Sequence, residues 1–199
     1  MSLHHAGEDL KHLLNRGYNK QSALTFVCNH YQLKKADRHF LARAVFSDEI
    51  CKSTAQKKLP IEEIQGKELA VDGFNVLITT EAVLKNEAIL CEDAVIRDTQ
   101  GVFGKFRISE TTEKAFQEII SLLKKYPPRT ATFYFDRQIS HSGSLCSGVR
   151  QHFPCETVAH VDLLLSELNK TTATSDSVLI GKLDHFVDIP FEILLSKNL

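Results

Sequence analysis

The hydrophobic period of the chain changes near residue 60, and this change limits the fold more than any other feature of the sequence. Residues 7–57 read as helices, with apolar side chains at helical spacing in runs between residues 8 and 46. Beyond residue 60 short β-prone runs alternate with helical stretches, and an aspartate follows several of the runs. Glu68-Leu69-Ala70-Val71 leads into Asp72, residues 130–135 into Asp136, residues 157–161 into Asp162, and residues 171–174 toward Asp176. Strands that alternate with helices predict an α/β fold with a mainly parallel sheet, right-handed crossovers and helices on its faces. The carboxyl ends of such strands share one edge, where ligand crevices form, so four carboxylates are expected to converge there.

Two units follow from the change of period, a basic helical domain over residues 1–60 and an α/β domain over residues 61–199, with the boundary at Pro60. In the first, residues 8–14 form a short amphipathic run closed by Gly17 as a left-handed cap. Residues 22–31 place Leu24, Val27, Cys28 and Tyr31 on one face. Residues 34–46 turn Phe40, Leu41, Ala44 and Val45 inward and leave Lys34, Lys35, Arg38 and Arg43 to water. In the second unit we expect a helix from 75 to 85 and a hairpin over 88–96 turning at Glu92-Asp93. A strongly amphipathic helix over 112–125 stops at Pro127-Pro128. Further helices are expected up to about residue 152 and over 163–168, then a last strand at 185–189 and a short C-terminal helix.

Charge divides the same way. Residues 1–60 hold 10 Lys/Arg against 5 Asp/Glu, and residues 61–199 hold 14 against 20. This asymmetry suits a phosphate-binding arm beside an acidic site, and equally two ordinary solvated surfaces. No stretch reaches the roughly 18 apolar residues of a membrane span, and the N-terminus lacks the apolar run of a signal peptide. Five cysteines, odd in number and without a CxxC pair, suggest neither a disulfide framework nor a thiolate zinc site. The expected setting is a reducing cytoplasm, away from membranes.

Gathering several aspartates at one edge costs repulsion and desolvation, which a bound divalent cation offsets. The hard oxygen donors of Asp72, Asp136, Asp162 and Asp176 favour Mg²⁺ or Mn²⁺. Such ions suit phosphodiester hydrolysis, because they activate water, neutralise non-bridging oxygens and stabilise the leaving oxygen. Taken singly, an aspartate after a strand is often only a helix N-cap, a reading open to Asp162 before Leu163.

The same residues carry a resemblance. Val71-Asp72-Gly73-Phe74-Asn75 resembles the first-strand motif of the PIN/NYN-like nuclease superfamily, and Phe133-Tyr134-Phe135-Asp136 is similar to its second core strand. Val161-Asp162 resembles the acidic residue that opens its late helix, and Ala173-Thr174-Ser175-Asp176 its threonine/serine-aspartate turn. The match spans about residues 67–190. More narrowly, the whole chain resembles an uncharacterised prokaryotic family that joins a small helical domain, with a motif like Asn15-Arg16-Gly17-Tyr18, to a PIN-like domain. Arg97-Asp98 and Ser140-His141-Ser142-Gly143 also look typical of that family.

The resemblance implies a PIN-like α/β domain with an inserted hairpin and a Mg²⁺- or Mn²⁺-dependent ribonuclease activity. It makes Asp72, Asp136, Asp162 and Asp176 the catalytic and metal-binding residues, supported by Asn75, with RNA as the partner. A protein partner or a homo-oligomer is compatible with it. The rival reading is a non-catalytic adaptor that keeps the nuclease-like fold and binds RNA or protein through its basic helices.

Lesser candidates follow. Asn75 can orient Asp72 or cap a helix. Glu81 has a surface fate unless its helix turns it to the acidic edge. Ser140, Ser142 and Gly143 offer donors to a phosphate near a helix N-terminus, but no GxSxG elbow surrounds a serine. None of the nine histidines has metal-ligand spacing. Arg97, Lys105 and Arg107 near the hairpin, and Arg16, Lys20, Lys34, Lys35, Arg38 and Arg43 among the helices, can meet phosphates or simply water.

Overall fold

A computed structural model describes residues 3–99 and 106–197. The first unit has four helices, one more than the three expected: α1 (Leu3–Asn15), α2 (Lys20–His30), α3 (Lys35–Ala44) and α4 (Asp48–Lys57). Helix α4 is mostly polar and buries only Thr54, so it gave no apolar stripe to read. Its start is nonetheless local, since the Ser47 hydroxyl accepts from the Ile50 N–H. Gly17 takes the left-handed conformation expected of it (φ 80°), and the N–H of Tyr18 returns to the Leu13 carbonyl at 3.2 Å. Ala6, Leu10, Ala23, Val27, Cys28, Leu41, Ala44 and Val45 form a separate small core.

The second unit is a five-stranded, wholly parallel sheet. Its strands are β1 (Glu68–Asp72), β4 (Thr130–Asp136), β5 (Cys155–Val158), β6 (Thr171–Ala173) and β7 (Phe186–Val187). A separate antiparallel hairpin, β2 (Ala88–Leu90) and β3 (Ile96–Asp98), projects between the first two helices of this unit, α5 (Gly73–Leu84) and α6 (Glu110–Lys125). The remaining helices are α7 (Ser142–Val149), α8 (Val161–Glu167), α9 (Ser177–Lys182) and α10 (Ile189–Lys197).

Side-chain alternation along β1 and β4 builds two cores. Leu69, Val71, Ala131, Phe133 and Phe135 join α5, α6, α7 and α10 on one face, while Ala70 and Tyr134 meet α8 and α9 on the other. Each fully buried phenylalanine contributes about 1.5–3 kcal/mol, so a one-residue slip of β4 would move both to the wrong face. At the end of β1 the chain turns straight into α5 at Gly73, where an added Cβ would stand 2.7 Å from the Phe135 ring. Only glycine allows the helix start to come this close to β4.

Three local expectations change. Strand β5 covers Cys155–Val158 rather than 157–161, because Val158 already pairs with Asp136 and His160 (φ 60°) turns the chain into α8. Helix α9 was not anticipated, being only six residues long. Cys146 and Cys155 are joined as a disulfide, against the expectation of none; α7 packs on β5 and brings their Cα atoms to 5.5 Å. Among the described residues no helix is long and apolar enough to cross a membrane.

The segment around Pro60 is not a loose linker. Lys58 pairs in parallel with Phe186, the Leu59 N–H donates to the Phe186 carbonyl (2.8 Å), and Lys57 Nζ donates to the carbonyls of Ile180 and Gly181. The chain leaving α4 thus lies along the β7 edge of the sheet. On the hairpin side the Glu92 N–H donates to the Ala44 carbonyl, and Ile89 packs into the helical core.

Candidate acidic cleft

From β1 the chain adds β4 and β5 on one side, then crosses to add β6 and β7 on the other. The order reverses between β1 and β6, and crevices form beyond the strand ends at such a point. Here the structure has a cleft of about 310 Å³ whose lining includes Asp72, Asn75, Asp136, Asp162 and Asp176. All five residues singled out from the sequence therefore face one cavity.

Each carboxylate is positioned differently. Asp72 ends β1 and is 7% exposed; its Oδ2 accepts from the Thr174 hydroxyl at 2.9 Å, and it makes no side-chain cap to α5. Asp136 ends β4 and accepts from the Gln138 N–H through Oδ1 (2.7 Å), a local turn that fixes its side chain. Asp162 lies in the first turn of α8, where His160 holds the cap position, so the N-cap reading does not apply to it. That role falls to Asp176, whose Oδ1 accepts from the N–H groups of Val178 and Leu179, both at 2.8 Å.

Asn75 acts on the turn after β6 rather than on Asp72 through its amide. Its Oδ1 accepts from the Ser175 N–H at 2.6 Å and from the Thr174 hydroxyl at 3.4 Å. The next peptide is held from the hairpin, since Arg97 Nε donates to the Ser175 carbonyl at 2.8 Å. Arg97 is 6% exposed and makes a two-pronged pair with Asp93, both contacts at 2.7 Å. Its guanidinium also stacks near the Phe46 ring, over which Lys20 Nζ sits at 3.6 Å. Arg97 is thus buried, not a solvated hairpin charge. Burial, with Arg97 nearby, lowers the Lys20 ammonium to about 8.

The electrostatics follow from crowding. Burial above all, with Asp162 and Asp176 adding repulsion and Thr174 opposing it, pushes the Asp72 carboxyl up to about 7. Asp162 is also pushed up, by burial and then by Asp176 and Asp136. Ionised oxygens repelling one another in a half-closed cleft are the condition that a hard divalent cation relieves. Among the described residues no three His, Cys, Asp or Glu side chains stand close enough together to enclose an ion. Oxygen donors so spaced leave room only for a cation held, as Mg²⁺ commonly is, through one or two carboxylates with water and substrate phosphate completing its shell. They do not make a closed protein cage.

Other expectations fall away from the cleft. Glu81 is buried against α6, accepting from the Thr112 hydroxyl at 2.5 Å. Ser140, Ser142 and Gly143 do not line the cavity, and Ser142 is buried at the start of α7. Arg38 is tied to the Leu33 and Cys28 carbonyls. Arg16, Lys34, Lys35 and Arg107 are exposed, and Lys105 lies outside the described residues. Sequence reading missed Asp188, which follows β7, is 1% exposed and gathers Lys58 Nζ, the Ile96 N–H and the Ser175 hydroxyl. Its position after an apolar pair was a signal of the same kind as the others.

Residues 61–192 match the family described as Domain of unknown function (DUF5616), and residues 2–57 match the one described as Protein of unknown function (DUF434). An uncharacterised protein of Methanocaldococcus jannaschii is 40% identical over 188 residues, covering 90% of this chain and 89% of the relative. No solved structure matches the chain at a significant level.

Proposed function

We propose that this chain, which belongs to the family described as Domain of unknown function (DUF5616), is a Mg²⁺- or Mn²⁺-dependent phosphodiesterase acting on RNA. The observation that carries the reading is the convergence of Asp72, Asp136, Asp162 and Asp176 from four separate elements into one cleft at the strand-order reversal. The choice of RNA rests on the resemblance of these motifs to PIN/NYN-like nucleases. One or two of these carboxylates, Asp72 among them, would hold the cation, and the others would line the cleft around it. A bound Mg²⁺ or Mn²⁺ supplies Lewis-acid polarisation of the phosphate and a water of lowered pKa.

The chain itself supplies position. Thr174 holds one oxygen of Asp72, and Asn75 and Arg97 hold the two successive peptides that flank Ser175, between Thr174 and Asp176. Phe74, Ile78 and Ile139 add apolar wall to the cleft, and so keep part of it dry.

The test is incubation of the full chain with single-stranded RNA and Mn²⁺, with chelator and Asp72→Asn as controls. The expected result is cation-dependent cleavage that falls by orders of magnitude in Asp72→Asn. Cleavage unchanged in that variant overturns the assignment. RNA binding without cleavage, independent of cation and of Asp72, would instead support the adaptor reading.

A further inference from the structure

Two arginines line the acidic cleft, one buried and one partly exposed. Arg97 is engaged on three sides by Asp93, the Ser175 carbonyl and the Phe46 ring, deep inside the protein. Arg43 comes from α3 of the helical unit and reaches the rim of the cleft. Its Nη1 meets both the backbone carbonyl of Asp98 (2.7 Å) and the Asp98 carboxylate (2.5 Å). The side chains of this pair keep 21% and 14% of their surface exposed to solvent.

We infer that Arg43 is a substrate-contacting residue of the cleft: it binds a phosphate of the RNA strand, and the helical unit is thereby part of the site. The inference rests on the phosphodiesterase reading and names how its substrate is held. Three features carry it. The cleft floor is acidic and repels a polyanion, so a strand entering it needs cations at the rim. Guanidinium geometry suits phosphate oxygens, and an arginine already ordered by Asp98 loses less freedom on binding than a mobile surface lysine. The helical unit is fastened beside the cleft through Lys57, Lys58 and the Glu92–Ala44 hydrogen bond, so Arg43 keeps its place relative to the aspartates.

In this account Asp98 aims Arg43 and also competes for it. That sets Arg43 apart from a purely structural ion-pair partner. If the pair were only structural, removing either member would have one effect. If Arg43 binds phosphate, removing Arg43 weakens RNA binding, whereas Asp98→Asn takes a repulsive charge from the rim and preserves or strengthens it.

The experiment measures binding of a labelled single-stranded RNA to the full chain carrying Asp72→Asn, in Mg²⁺, over a series of salt concentrations. Arg43→Ala and Asp98→Asn are each added to that background, with melting curves to show that each variant folds. Arg43→Ala is expected to weaken binding about tenfold, the loss of one charge-assisted contact. It should also flatten the dependence of log Kd on log salt by about 0.7, one phosphate contact on a single strand. Arg43→Lys should keep the slope. Asp98→Asn should bind at least as well as the background. Equal weakening by Arg43→Ala and Asp98→Asn, or an unchanged slope in Arg43→Ala, overturns the inference while leaving the phosphodiesterase reading intact. A background protein that binds no RNA removes that reading's substrate, and the inference with it.

Discussion

Strand β1 carries a carboxylate at each end, and the two live in opposite circumstances. At its start Glu68 lies between Arg129 (2.6 Å) and Lys170 (2.9 Å), which hold its carboxyl below the usual range, Lys170 foremost. At its end Asp72 is buried with Asp162 and Asp176 nearby, and burial drives it up to about 7. One strand therefore holds a satisfied charge at the edge away from the cleft and a strained one facing it. A carboxyl raised mainly by burial, with other carboxylates beside it in a cleft, is the kind of group on which the proposed function rests.

Breaking the strained end should have the larger consequences. The greatest is on turnover: in the proposed reaction Asp72→Asn is expected to lose activity by orders of magnitude in an RNA cleavage assay, while remaining folded. Next comes the clamp behind the cleft. Arg97→Met leaves Asp93 buried without its cation, which typically costs about 3–5 kcal/mol, and chemical denaturation should show a loss of that size. The turn carrying Asp176 loses its hold on the Ser175 carbonyl at the same time.

A smaller effect, of opposite sign, belongs to Asp72→Asn in cation-free buffer. The Asp72 carboxyl binds its proton more tightly in the folded chain than in the unfolded one. Its ionisation therefore destabilises the fold, and stability is lost as pH rises from about 4 through about 7. Asparagine removes that loss without leaving a void. Asp72→Asn should match the wild type near pH 4 and exceed it at pH 8, by about 1.4 kcal/mol for each unit by which folding raises the Asp72 carboxyl, read from denaturation at the two pH values. Smallest is Glu68→Gln at the satisfied end: an exposed pair with two partners should change the melting temperature little, and less still at high salt.

The strained end was also the more legible one. Short apolar runs closed by Asp72 and Asp136 announced the strands and the cleft at their ends together, because a parallel sheet sends its strand ends to one edge. The helix over 112–125 was legible for a related reason: α6 is stabilised by its own stripe and by the Ser109–Thr112 capping pair, both local in sequence. Arg97 was not legible. Nothing near it in the chain says that it will be drawn inward to the Ser175 carbonyl, because that contact exists only once the hairpin folds over β6. The place of Arg43 in the cleft was not legible for the same reason, its partner Asp98 being far along the chain. The Cys146–Cys155 pair is closer in sequence, yet it too depends on α7 packing against β5. Asp188 carried a readable signal but followed a strand of only two residues.

The most direct test of the central claim is the melting temperature of the full chain at pH 8 with increasing Mn²⁺ or Mg²⁺, wild type against Asp72→Asn. A cation that binds the native cleft raises apparent stability by mass action, by about 2.7 kcal/mol at a hundredfold excess over its Kd. The account predicts a rise in the wild type that Asp72→Asn abolishes. No rise in the wild type, or an equal rise in both proteins, would contradict it.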